Sequence, residues 1–156
     1  MNELNGELKK QLEIMHEVME IFIKYNKKLI KESNEESPYK LTPTKYYMLK
    51  MIYNAGTCMV MDVARKLDLS SGATTIILKQ LEEEDLIIRL RDKDDRRVVW
   101  LRLTDAGKAF IEKKLEKRDK FLLNILSKLS AEERSHFLGL LEKMAGEIKE
   151  EIEKSS

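Results

Sequence analysis

The chain has 156 residues, 37% of them charged and 42% hydrophobic, with a formal net charge of +1. That length can bury one sizeable core, and the mix suits a folded, helix-rich protein rather than a disordered one. It excludes a uniformly basic chain. No apolar run approaches the ~20 residues that span a bilayer and no signal-peptide pattern opens the sequence, so a cytoplasmic location without a membrane partner is expected.

Leu4, Leu8, Leu12, Met15, Met19, Phe22 and Leu29 recur mostly every three or four residues. The spacing predicts an amphipathic helix, ~40 Å long, from about Asn5 to about Lys31. An apolar stripe of that length calls for a partner larger than one small domain, and a second copy of the chain is the simplest one. Ser33-Asn34-Glu35-Glu36-Ser37-Pro38 is a polar break. Thr42-Pro43 then opens a second helix, threonine as cap and proline in the first turn, where its missing amide costs nothing. Tyr46, Leu49, Met51, Ile52 and Tyr53 carry its apolar content, and Asn54-Ala55-Gly56 ends it.

Two short helical patterns follow. The first is Asp62 to Leu67, with Val63, Ala64 and Leu67; the second runs from Ser71 to Glu84, with Thr74, Ile77, Leu78 and Leu81 on one face. Asp68-Leu69-Ser70 separates them, and Ser70 is placed to cap the second. Two short helices about a tight turn form a helix-turn-helix pattern. The opposite face of the second helix carries Ser71, Gly72, Thr75, Ile76 and Lys79. Small residues at its start would let the backbone approach a partner closely. Thr75 suits a base edge, Lys79 a phosphate and Ile76 a thymine methyl. The plainer alternative is a solvated helix face with one exposed isoleucine.

Leu86-Ile87-Ile88-Arg89-Leu90-Arg91 and Val98-Val99-Trp100-Leu101-Arg102-Leu103 read as two strands of a hairpin, joined by Asp92-Lys93-Asp94-Asp95-Arg96-Arg97. Arg89, Arg91, Lys93, Arg96, Arg97 and Arg102 oppose three aspartates there. Arginines on a narrow tip suit a minor groove, where flanking phosphates deepen the negative potential. An ordinary solvated loop is the alternative. Thr104 caps the next helix, which continues through Phe110, Ile111, Leu115, Phe121, Leu122 and Ile125 to about Lys128. Ser130 and Glu133 form a capping box for the last one, with Phe137, Leu138, Leu141, Met144, Ile148 and Ile152 as its stripe.

Taken together, Leu67-x-Leu69-Ser70, Leu81-Glu82, Leu86-Ile87-x-Arg89, Asp95-Arg96-Arg97 and Leu103-Thr104-x-x-Gly107 resemble the winged helix-turn-helix of the MarR family of bacterial transcriptional regulators. Leu41-Thr42-Pro43 and Leu49 match as well. The resemblance implies a mainly α fold with a small β-hairpin wing (α+β), carried as one domain over residues 1–156. Residues 41–104 would form the DNA-binding region, with 1–33 and 105–156 as dimerisation helices. It implies a homodimer on double-stranded DNA, reading a pseudo-palindromic operator as a ligand-responsive repressor, with a lipophilic or phenolic effector. The contact set is Ser70, Ser71, Gly72, Thr74, Thr75, Ile76 and Lys79 for the helix, and Lys93, Arg96 and Arg97 for the wing. Asp95 and Arg91 would support the wing. Ile76, Gln80 and Asp85 depart from the family pattern, the last standing where glycine usually ends the helix.

No enzyme, cofactor or metal is expected. His16 and His136 lie in no ligand spacing, and Asp92, Asp94 and Asp95 lack the glycine and distant glutamate of a calcium loop. Cys58 makes no internal disulfide and reads as a small buried residue. Met48, Met51, Met59, Met61, Tyr46, Tyr47 and Tyr53 would either be plain core or line a pocket for a flat apolar ligand. A helical protein-interaction module on a winged scaffold, without DNA binding, is the rival suggested by the near-neutral charge and Ile76.

Overall fold

The structure, a computed structural model, describes residues 2–95 and 97–154. Its order is α1 (Asn2–Glu35), α2 (Pro43–Ala55), β1 (Thr57–Met59), α3 (Val60–Lys66), α4 (Ser71–Glu83), β2 (Ile87–Arg91), β3 (Val99–Leu103), α5 (Asp105–Leu126) and α6 (Ala131–Lys154). The mainly helical fold with a small antiparallel sheet is that expected from the sequence. By internal contacts the chain divides into two units, Met1–Lys114 and Leu115–Ser156.

In the first unit, α1 runs about one turn past the predicted end. Nothing in Glu32, Asn34 and Glu35 breaks a helix, and Asn34 secures the exit by using its amide both ways. Its Nδ2 donates to the Leu41 carbonyl at 3.1 Å, and its Oδ1 accepts from the Leu41 N–H at 2.6 Å. The side chains of Leu8, Leu12, Met15, Met19 and Phe22 are exposed; that of Leu4 lies outside the described residues. Helix α2 starts as predicted, with Thr42 Oγ1 accepting from Lys45 N at 3.2 Å ahead of Pro43. Its buried face is Lys45, Met48, Leu49 and Ile52. Together with Leu41, Val63, Leu78, Leu81, Leu86, Ile87, Leu101, Phe110 and Ile111 it forms the core.

The predicted hairpin is the larger part of a three-stranded sheet of order β1-β3-β2. β3 pairs with β2 from Ile87↔Leu103 to Arg91↔Val99, and with β1 from Thr57↔Arg102 to Met59↔Trp100. Strand β1 escapes sequence reading because three residues are too few to show an alternation. It fastens the segment between α2 and α3 to the central strand, so the helix-turn-helix and the wing share one sheet.

Helices α3 and α4 end in the same way. After α3, Asp68 takes φ +49° and Leu69 N donates to Ala64 O at 2.9 Å; after α4, Asp85 takes φ +54° and Leu86 N donates to Leu81 O at 2.9 Å. These are Schellman closures with aspartate in the left-handed position that glycine more often fills. Asp85 therefore keeps the glycine geometry without the glycine. Thr104 then starts α5: its Oγ1 accepts from Gly107 N at 2.9 Å and donates to the Asp85 carbonyl, while its own N–H donates to Leu86 O. Gly107 is buried against that same carbonyl; a Cβ there would lie 1.9 Å from Leu86 O. Only a residue without a side chain lets α5 leave the sheet at this point.

In the second unit the expected capping box is present, with Glu133 N donating to Ser130 Oγ (3.2 Å) and Ser130 N to Glu133 Oε2 (2.7 Å). The Arg134 guanidinium donates to the last carbonyls before it, those of Leu126 and Leu129. On α6, Phe137, Leu138, Leu141, Met144, Ile148 and Ile152 are exposed.

Candidate nucleic-acid interface

Helix α4 buries Thr74, Leu78 and Leu81 and turns its other side outward. Gly72, Ile76, Lys79 and Glu83, spaced four, three and four apart, fall on one outward line with Ile76 61% exposed near its middle. Ser71 and Thr75 flank it and are exposed. A Cβ at Gly72 would meet nothing within 4 Å, so this stretch is open to close approach.

The polar atoms of this face are partly committed. Ser70 Oγ accepts from Ala73 N at 3.2 Å, the predicted cap. Thr75 Oγ1 donates to the Ser71 carbonyl at 2.8 Å, which leaves its methyl and its lone pairs for a partner. Lys79 Nζ lies 3.7 Å from Glu83 Oε1, a loose exposed pair. Thr74 corrects the predicted contact set. It is 2% exposed and its hydroxyl donates to the Ser70 carbonyl at 2.9 Å, because it occupies the inward phase of the helix with Leu78 and Leu81. It packs beneath the outward face and is not part of it.

The acidic run Glu82-Glu83-Glu84 would oppose any polyanion if it stood free. Each carboxylate instead meets a cation from a different place. Glu82 Oε2 is 2.6 Å from Arg89 Nη2 on β2, Glu83 pairs with Lys79 on α4, and Glu84 Oε1 accepts from Lys45 Nζ on α2 at 2.7 Å. The Lys45 side chain is 5% exposed and that of Glu84 24%, so this contact braces α4 against α2 from inside. Sequence reading missed it: Lys45 looks like one more surface lysine, and 39 positions separate the partners.

In the wing, Lys93, Asp95 and Arg97 are exposed, as is Arg91 at the end of β2. Arg96 lies outside the described residues. Asp95 Oδ1 accepts from Arg97 N at 2.9 Å, a backbone bond within the wing turn. The larger organiser is Asp92, which the sequence offered only as a discarded calcium ligand. Its Oδ1 accepts from Asp94 N (2.9 Å) and Asp95 N (3.1 Å), and its Oδ2 from Trp100 Nε1 (3.0 Å). The indole N–H first, then the two backbone amides, hold this carboxyl below the ordinary aspartate range. Charge-assisted bonds of this kind fix the loop that presents Lys93 and Arg97.

Trp100 also lines a cleft of about 640 Å³ with Met51, Met59, Cys58, Arg65 and Lys66. Of the predicted methionine–tyrosine pocket, only Met51 and Met59 are here. Met48 is core, Tyr47 and Met61 are exposed, and Tyr53 donates to Glu112 Oε1 at 3.0 Å. Burial first, then Asp62, push the Cys58 thiol up, against the opposing pull of Lys66. That is the behaviour of a quiet packing cysteine. Among the described residues no group of three or more His, Cys, Asp or Glu is placed to hold a metal ion, and no helix is long and apolar enough to cross a membrane.

Residues 41–99 match the model of the MarR family. Over 108 residues, 69% of this chain, the sequence is 34% identical to the uncharacterized HTH-type transcriptional regulator YwhA of Bacillus subtilis (strain 168), covering 78% of that protein. It is 30% identical over 105 residues to the HTH-type transcriptional repressor MdtR of the same organism, covering 67% of this chain and 68% of MdtR. Among solved structures, the YusO protein from Bacillus subtilis is similar with a TM-score of 0.69 at 28% identity, over 88% of this chain and 96% of that one.

Proposed function

The chain belongs to the MarR family of HTH-type transcriptional regulators, and from that premise we propose that it is a homodimeric, ligand-responsive repressor reading a pseudo-palindromic operator. Residues 1–156 would act as one functional domain in the cytoplasm. Residues 41–104 form the reading region in this proposal, with 1–33 and 105–156 as dimerisation helices. Ser71, Gly72, Thr75, Ile76 and Lys79 enter the major groove behind the Ser70 cap. Lys93, Arg96 and Arg97 meet the minor groove and its phosphates.

The observation that carries this reading is the outward line of α4 standing free while a cation-tipped wing, locked by Asp92, hangs from the same sheet. Two further observations support the finer parts. The apolar stripes of α1 and α6 are exposed in the single chain, and a second copy would bury them. A two-fold pair would set its reading helices ~34 Å apart, one turn of duplex. The relative named as a repressor supports that direction of control. The cleft beside Trp100 has the size and mixed lining for a lipophilic or phenolic effector, which would act by binding one dimer geometry better than the other.

The test is binding to fragments of the source genome by wild type and Arg97→Ala, over a range of salt. Wild type should select particular fragments, with affinity falling steeply as salt rises. Arg97→Ala should weaken all of them with a shallower salt slope. Uniform, salt-insensitive retention of every fragment would defeat the proposal. Capture of a protein partner together with such indifference would favour the interaction-module reading instead.

A further inference from the structure

The reading face of α4 has an unusual chemical content for a major-groove helix. The commonest specific contact to guanine is a guanidinium or ammonium bidentate to O6 and N7. Helix α4 contains no arginine, and its one lysine, Lys79, already faces Glu83. The Ser70 hydroxyl is occupied by the cap and the Thr75 hydroxyl by the Ser71 carbonyl. What the helix presents at its centre is carbon: the Ile76 side chain, 61% exposed, with the Thr75 methyl beside it and the bare backbone of Gly72 one turn ahead. The feature in a major groove that carbon recognises is the thymine 5-methyl. Gln80, exposed one turn beyond Ile76, carries the donor–acceptor pair that fits adenine N6 and N7.

We propose that the recognition helix reads A·T pairs through thymine methyl groups, with Ile76 as the specificity-determining residue and Thr75 as its methyl-bearing neighbour. This rests on the proposed operator reading and names what that reading recognises. An exposed isoleucine alone would carry no such weight, since single apolar side chains on surfaces are common. The argument comes from its central position together with the Thr75 hydroxyl turned back onto the helix and the missing arginine. Burying one methyl against Ile76 is worth roughly fourfold in affinity, so two symmetric half-sites give roughly tenfold or more.

The experiment starts from a randomised duplex pool, from which full-length protein selects a bound sequence. That duplex is then remade with deoxyuridine in place of thymidine, one position at a time, removing only the methyl. The expected result is selected half-sites carrying A·T pairs, with a roughly fourfold loss per half-site at one or two thymine positions. Ile76→Ala should lose about as much on the thymine duplex and be indifferent to uracil at its own position. Thr75→Ser, which removes only the methyl, should bind less well than wild type. Unchanged thermal unfolding of these surface variants separates contact loss from misfolding. A selected duplex with no uracil-sensitive position, or Ile76→Ala retaining full uracil sensitivity at every position, overturns the methyl reading and leaves operator binding intact. Failure to enrich any duplex overturns the operator reading, and this inference with it.

Discussion

Replacing Gly107 with alanine should destabilise the protein although alanine is the better helix former. The added Cβ would stand 1.9 Å from the Leu86 carbonyl oxygen and 2.8 Å from its carbon. Ordinary carbon–oxygen contacts lie at about 3.3 Å, so α5 and the start of β2 must part by more than ~1 Å. Neither atom can swing aside, because both are backbone and the oxygen also accepts from Thr104 N at 3.2 Å. Overpacking costs ~1–3 kcal/mol and sometimes more, and a backbone obstacle puts this site at the upper end. The gain in helix propensity is at most ~1 kcal/mol. The net loss is then about 2 kcal/mol or more, and the unfolding midpoint should fall by roughly 4–8 °C. Circular dichroism with heat and with urea measures it. Gly72→Ala is the matched control, since a Cβ there meets nothing within 4 Å. It should hold or raise stability by up to ~1 kcal/mol, while weakening DNA binding if close backbone approach matters. Gly107→Ala unfolding at or above the wild-type midpoint would refute the packing argument.

Three other outcomes follow from the same geometry. Lys45→Met leaves Glu84 facing the interior without its cation and should cost ~2–3 kcal/mol, less than a fully buried pair because Glu84 is a quarter exposed; adding Glu84→Leu should recover part of it, and a cycle of urea midpoints without such recovery contradicts the brace. Asp85→Gly should stabilise by about 0.5–1 kcal/mol, since relief of the left-handed conformation outweighs the added freedom of the unfolded chain; a lower urea midpoint counts against it. Asp92 is held below the ordinary aspartate range, so its contribution to wing order is complete above about pH 4 and is lost as pH falls through the lower folded value. The fluorescence of Trp100, the sole tryptophan, should report that acid transition, and Asp92→Ala should show the altered emission already at neutral pH.

What the sequence disclosed was local. The caps made by Thr42, Ser70, Thr104 and the Ser130–Glu133 box lie within three residues, so these capping roles could be read from spacing alone. The periodic stripes of α1 and α6 and the paired strands β2 and β3 were legible for the same reason. What stayed hidden depends on partners brought together by the fold. Strand β1 exists because β3 offers it an edge, Lys45 is buried because Glu84 receives it, and Asp92 matters because Trp100 lies opposite. Thr74 shows a different limit. Its side chain is small and polar enough to suit either phase of the helix, and only packing against the core assigned it inward. The meaning of Gly107 also needed coordinates: the motif marked the position, and the Leu86 carbonyl supplied the reason.

Trp100 belongs at once to the cleft wall and to the anchorage of the wing. An engineer wishing to widen the cavity for a new inducer would be tempted to trim that indole. Doing so would unmoor the arginine-bearing tip in the same stroke, so, on the proposed function, inducer range and operator grip would not be separately adjustable knobs in this scaffold. Enlargement is better sought at Met51 or Met59, whose removal leaves the tether in place.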